Sequence, residues 1–413
     1  MTRRQTKRQR QTRSNAMPTA AVDENSLPAI PDLRLATCIH HLSTEHLAPL
    51  HEAANKQLQD AIAAEDAAPL YKHVYQELSL PGLGGKFDQS TYDAMAEKNK
   101  AKLAEFDEAY QKCKEEEGDM EMLAVLRNKA EYLAKICDHT AAKEAYKEVY
   151  AQTATAGSKI DLCFARLRLS LFFNDVQTTT SVLAETATLI EKGGDWDRRN
   201  RLKAYRGVFE LSRRQFSEAA GVLLDTLSTF TSTELCSYAD VVRYALTAGL
   251  IALPRTEIKS KIMDAPEVLA LQADMPDLVS CVNSLYLCDY KTFFTALGSV
   301  QQSMLADRYL CAHAQFYVLA LRIKAYNQLL SSYSSLSLTS MASSFGVSVE
   351  WLDADLARFI RAGKIQAVID RVNGIVETRS GQAGGKSVLY EQVIREGDKL
   401  LNKLQKHQNA LVL

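Results

Sequence analysis

The chain has 413 residues, 46% hydrophobic and 24% charged, with a formal net charge of −1. Its length allows two or three domains around a large core, while 18 Gly and 9 Pro are too few for the turns of an all-β protein. No run approaches the ~18 apolar residues that span a bilayer, and no apolar segment follows the basic N-terminus as a secretory signal requires.

Residues 1–13 carry six basic groups (Arg3, Arg4, Lys7, Arg8, Arg10 and Arg13) and no acid, which leaves the remainder at 43 basic against 50 acidic residues. Residues 1–30 are therefore expected to be a disordered basic arm. Nuclear import or a nucleic-acid contact is the alternative for this arm, although an acidic body disfavours general nucleic-acid binding. A helix is expected after Pro31-Asp32, and more helix over 46–80, broken by Pro69 and ended by the turn Pro81–Gly85. The segment 92–117 is intensely charged, with Leu103, Phe106 and Tyr110 on one stripe. It reads as an amphipathic helix, either a coiled-coil seam or one member of a larger array.

Residues 121–230 carry an internal period. Helix 122–137 leads to a turn at Asp138–Thr140 and a second helix bearing Ala142, Ala145, Tyr146 and Tyr150. The pattern recurs as 161–173, a turn at Asn174-Asp175 and 182–190, then as 196–211, a turn near Arg213-Arg214 and 219–227. The turns fall about 36 and about 39 residues apart, slightly longer than a tetratricopeptide helix pair. One pair cannot bury its own apolar face, so the pairs must stack. Further helix is expected at 237–253, 265–271, 275–287 and 312–330.

Beyond 330 the rhythm changes. Ser335–Leu338 alternates like a strand and Thr339–Phe345 is a short helix. Gly346–Ser348 turns into a helix over 349–362, closed by Gly363. Residues 364–369 and 375–378 form a hairpin. That order is a winged helix-turn-helix. Glu350, Asp353 and Asp355 would face a bound duplex and repel it, so the module is expected to contact protein, through Glu350, Trp351, Asp353, Lys364, Gln366 and Val368. Ile365, Ala367 and Ile369 alternate with Lys364, Gln366 and Val368, so one face can pack while the backbone edge stays open.

The remaining candidates for chemistry are weak. Gly381–Ser387 resembles a phosphate-binding loop but has one residue too few between its glycines, and no parallel sheet can follow it. His40, His41, His46 and His51 cluster without a Cys or carboxylate at ligand spacing. The eight cysteines (38, 113, 137, 163, 236, 281, 288 and 311) form no CxxC and read as reduced core thiols of a cytosolic or nuclear protein. No nucleophile, cofactor site or metal site is nominated. Residues 381–385 are expected to be a flexible joint before a final helix. On that helix Tyr390, Val393, Gly397, Leu400, Leu404 and Leu411 form a heptad seam that also includes His407, widened by Leu389, Ile394 and Leu401.

Helical repeats running into a terminal winged helix resemble the PCI-domain family, shared by the proteasome lid, the cullin-deneddylating signalosome and a translation initiation factor. Pro31–Ala36, Glu121–Asp138, Tyr205–Phe209 and the winged helix carry the likeness, nearest to a lid subunit, over residues 30–413. The fold it implies is a mostly α, TPR-like solenoid followed by a winged-helix module and a C-terminal helix. The expected divisions are an N-terminal helical region (31–120), repeats (121–230), a PCI domain (231–380, its winged helix at 313–380) and a bundle helix (381–413). The function it implies is a non-catalytic scaffold of the lid in cytoplasm and nucleus. Its implied partners are other PCI subunits and the ATPase base, with no small-molecule substrate and no membrane. A signalosome scaffold, or a winged-helix nucleic-acid binder, is the alternative.

Overall fold

The computed structural model describes residues 28–378, apart from 79, 86 and 117, together with 384–411. α1 (Leu33–Ser43) is capped by Asp32, whose carboxylate accepts from the Arg34 amide. α2 (Ala48–Glu65) and α3 (Ala68–Lys72) follow, and α3 continues through a π turn at His73–Glu77. The break expected at Pro69 lies instead at Asp66, which takes the left-handed conformation (φ 49°). Pro69 sits in the first turn of α3, where a missing N–H costs no helical bond.

The charged helix is α4 (Gln89–Glu115). It packs on α5 (Asp119–Lys135) as one member of the array: the Phe106 ring lies 5.8 Å from Tyr132, and the Tyr132 hydroxyl donates to Asn99 Oδ1 at 2.9 Å. Three antiparallel pairs follow. α5 pairs with α6 (His139–Gln152), α7 (Ala156–Phe172) with α8 (Val176–Gly193), and α9 (Trp196–Ser212) with α10 (Phe216–Thr226).

One local device builds all three pairs. Cys137, Asn174 and Arg214 each adopt a left-handed φ, of 59°, 56° and 64°. The amide of the next residue then reaches back five positions: Asp138 to Leu133 O, Asp175 to Ser170 O and Gln215 to Glu210 O, at 2.9–3.1 Å. This closes the first helix with a Schellman motif. Asp138 and Asp175 at once cap the second helix, accepting from the Ala141 and Thr178 amides. Close approach also has a cause in the sequence: a Cβ on Gly207 would lie 2.5 Å from Leu223 Cδ2, so any larger residue there must displace the buried Leu223 side chain.

The C-terminal half contains α11 (Tyr238–Ala252), the short α12 (Arg255–Ile258) and α13 (Pro266–Ala270), and α14 (Pro276–Leu287). A further helix, α15 (Tyr290–Ala306), was not anticipated from the sequence. It opens with the same device, Cys288 at φ 65° and Asp289 capping Thr292. It buries Tyr290, Phe293, Leu297, Val300 and Met304 at helical spacing. α16 (Ala314–Leu330) leads into the winged helix: β1 (Ser335–Ser337), α17 (Leu338–Phe345), α18 (Val349–Arg361), β2 (Ala367–Asp370) and β3 (Ile375–Thr378). The antiparallel sheet runs β1-β3-β2, with Leu336 and Ile369 both opposite Val376. Phe345 anchors this module on α15 and α16, its ring 4.7 Å from Tyr290, 5.0 Å from Phe294 and 4.9 Å from Tyr326. The last element is α19 (Gly384–Leu411). It begins at Gly384 rather than Ser387. Residues 381–383 of the expected joint lie outside the described residues.

Candidate assembly surfaces

Side chains distant in sequence cap the C-termini of α7, α9 and α11 and tie them to the helices after residue 306. The last carbonyls of a helix lack intrahelical donors and carry the negative end of its dipole. Arg308 Nη2 donates to Leu171 O and Phe172 O at the end of α7, at 2.7 and 2.6 Å. His313 Nε2 donates to Ser212 O at the end of α9, at 2.8 Å. Lys324 Nζ donates to Leu250 O and Leu253 O at the end of α11, both at 2.6 Å. Burial pulls the Lys324 amine down to about 8 and lowers the Arg308 guanidinium from its usual value. Asp307, beside Arg308, is buried and accepts from the Tyr244 hydroxyl (2.7 Å) and from Arg243 (3.0 Å). These residues were not singled out in the sequence, because their partners are backbone carbonyls up to 137 residues away.

Three of the four clustered histidines also donate to backbone carbonyls at helix ends. His40 and His41 donate from Nε2 to Leu305 O (3.4 Å) and Ala306 O (2.9 Å), closing the end of α15, and His51 donates to Thr44 O (3.0 Å). Among the described residues no three His, Cys, Asp or Glu side chains gather as a metal site would need. Cys38, Cys137, Cys163 and Cys281 are buried, whereas Cys113, Cys236, Cys288 and Cys311 are only partly so. Burial pushes the Cys137 and Cys281 thiols up to about 12, which removes the thiolate needed for reactivity.

The winged helix divides into an inward and an outward face. Ser348 caps α18, accepting from the Trp351 amide. Leu352, Leu356 and Phe359 turn inward, and Asp355 turns with them. The expected trio of outward carboxylates is therefore wrong in one member. Asp355 is buried, accepts from the Tyr326 hydroxyl at 3.1 Å, and faces Arg322 at 3.4 Å. Of the other two, Glu350 is exposed and Asp353 pairs with Arg371 of the wing turn at 2.9 Å. Trp351 lies edge-on to Phe294 and over Arg322, with part of its ring left in solvent. Arg358 and Arg361 are exposed at the far end of α18. The face is mixed in sign, suited to a charge-complementary protein surface more than to a uniform polyanion.

β2 pairs with β3 alone, so its other side is a sheet edge among the described residues. Ile365 and Ala367 are buried, while Lys364, Gln366 and Val368 are exposed, Val368 by 39%. The alternation thus holds, but the strand itself begins only at Ala367; Lys364–Gln366 are the approach to it. Such an edge presents unpaired amides and carbonyls to any strand of suitable shape.

α19 has 28 residues, about 42 Å at 1.5 Å per residue. Tyr390, Val393, Leu400 and Leu404 are between 58% and 65% exposed, and Ile394 and Leu401 widen the stripe. Gly397 lies within it, and a Cβ there would meet nothing within 4 Å. Leu411 is the last residue of the helix, and its side chain lies outside the described residues. Glu391–Arg395 and Glu396–Lys399 pair along the polar side, at 3.0 and 2.6 Å. A stripe of large apolar residues on one helix, exposed along its length, marks a binding surface.

Comparison with known proteins agrees with this architecture. Residues 88–261 match the family model described as 26S proteasome subunit RPN7, and residues 290–380 match the PCI domain. The chain is 45% identical over 387 residues to the 26S proteasome regulatory subunit rpn7 of Schizosaccharomyces pombe, covering 93% of this chain and 97% of that one. It is 41% identical over 372 residues to the regulatory subunit RPN7 of Saccharomyces cerevisiae, covering 85% and 86%. It is 36% identical over 383 residues to the non-ATPase regulatory subunit 6 of Dictyostelium discoideum, covering 93% and 98%.

Proposed function

This chain belongs to the RPN7 family of 26S proteasome regulatory subunits, and on that premise we propose that it works as a non-catalytic scaffold of the regulatory-particle lid, completed by its neighbours at β2 and α19. The observation that carries the proposal is the apolar stripe of α19. An isolated helix is marginal in water, and large apolar side chains left exposed favour association. The stripe is too wide for a single partner helix, which fits burial among several helices of neighbouring PCI subunits. The open edge of β2 offers a second, strand-type contact to an adjacent winged helix.

The proteasome is preferred to the signalosome because the relatives named above are 26S proteasome subunits. A non-catalytic role is supported by the spacing of Gly381–Ser387, one residue short of a phosphate-binding loop, and by His40 and His41 serving as helix caps. Contacts with the ATPase base and residence in both cytoplasm and nucleus belong to the same proposal, as does the absence of a small-molecule substrate.

Deleting residues 384–413 tests it. The truncated chain should keep the helical circular dichroism and the melting temperature of the full chain, yet fail to co-assemble with the other lid subunits. Normal incorporation would make α19 a tail and overturn the proposal.

A further inference from the structure

α9 carries a second unpartnered surface, on the repeats and independent of α19. Trp196, Arg199, Lys203 and Arg206 are all exposed, and their 3-4-3 spacing places them on one stripe of the helix. Trp196 stands at the head of the stripe, 63% exposed. The three cations follow over about 10 Å of helix axis.

Five carboxylates on or beside α9 are already engaged. Asp161 and Asp195 both pair with Arg198 (2.9 and 2.5 Å). Asp197 accepts from Arg201 (3.0 Å) and from the Thr231 hydroxyl (2.6 Å). Glu234 lies buried against Arg201 and Tyr205. Glu210 is buried and faces Arg213. Arg199, Lys203 and Arg206 therefore have no ion-pair partner among the described residues, on a protein whose charge beyond residue 13 is 43 basic against 50 acidic. Like-signed side chains one turn apart repel each other. An exposed Trp beside arginines is the composition of an interface hot spot.

We propose that this stripe docks an acidic α-helical segment of another polypeptide. That segment would carry carboxylates three and four residues apart and an apolar side chain for Trp196. A helix is favoured over an extended chain because the cations repeat at the rise of a helix and lie on one straight line. A polypeptide is favoured over a nucleic acid because the stripe is short, it is headed by an indole, and the surrounding protein is acidic, which repels a long polyanion.

The test uses the full chain and a fluorescein-labelled alanine-based peptide of about 18 residues, with one Leu and three Glu in the same 3-4-3 spacing. Fluorescence anisotropy at low salt should give saturable binding that weakens as salt rises. R199E/K203E/R206E should weaken binding at least about thirtyfold, and W196A about tenfold, with unchanged circular dichroism. E218K/D225K, on the exposed face of α10, should leave the affinity within about twofold. No saturation at about 1 mM peptide, or binding retained within about twofold by the triple variant, would overturn the proposal. So would tighter binding of a 20-nucleotide single strand to the same stripe.

Discussion

In the repeats, α9 and α10 bury Ala204, Val208, Leu211, Phe216, Ala219 and Leu223 against each other and their neighbours, and the end of α9 finds a donor in His313 of the same chain. In α19, side chains of comparable size stand in solvent along the helix, and the described contacts along it are ion pairs within one turn. The two regions share a secondary structure and differ in where their apolar faces are completed. The repeats complete theirs internally, so substitutions there should lower the stability of the free chain. α19 and β2 are left to be completed from outside, so substitutions there should spare the free chain and weaken assembly.

The largest effect on the internal side is expected at Arg308. Arg308→Met removes the donor to Leu171 O and Phe172 O and leaves buried carbonyls unpaired, which should cost about 3 kcal/mol in urea unfolding. A loss under about 0.5 kcal/mol would show that water replaces the guanidinium and that the junction is looser than described. A smaller effect is expected on the external side at Val368. Val368→Lys puts a charge on the exposed side of the edge strand, which opposes strand addition, and should weaken co-assembly about tenfold (about 1.4 kcal/mol) while the melting temperature stays put. A drop in melting temperature with unchanged assembly would move β2 to the internal class.

The smallest effect is at Asp175, which sharpens the account of the repeat turns. Hydrogen bonds from the Thr178 hydroxyl and amide hold its carboxyl down at about 2. The folded-state pKa is depressed, so the contribution is present above the ordinary value near 4 and is lost as pH falls through about 2. Asp175→Ala should cost about 1 kcal/mol at pH 7, and the difference between variant and parent should shrink between pH 4 and pH 2. A difference that is constant with pH would mean the cap does not act through its charge.

Much of the architecture was legible because it is written locally. The turns at 137–138 and 174–175 combine a helix stop with a following cap, the turn at 213–215 carries the stop alone, and Ser348 and Gly363 bracket α18. α15 carries that signal too, in Cys288-Asp289 and Thr292, and its buried residues keep helical spacing, so it is legible by the same local rule. Asp355 was misplaced for a different reason. Its position, three residues after Leu352 and four before Phe359, lies on the apolar face of α18, but a buried carboxylate is tolerable only because Arg322 and Tyr326 of another helix meet it. Arg308, His313 and Lys324 were illegible because capping a distant carbonyl leaves no pattern around the capping residue. The seam of α19 was legible for the opposite reason: a heptad stripe is a local pattern whether or not its partner is present.

The claim that separates the two regions is that the apolar stripe of α19 is completed only in the assembly. Amide hydrogen exchange over residues 390–408, compared between the free chain and the chain incorporated into the lid, tests it most directly. The account predicts exchange within seconds in the free chain, strong protection in the assembled particle, and no change in the already protected amides of α9 and α11. Equal protection of 390–408 in both states, or fast exchange in the assembled particle, would contradict it.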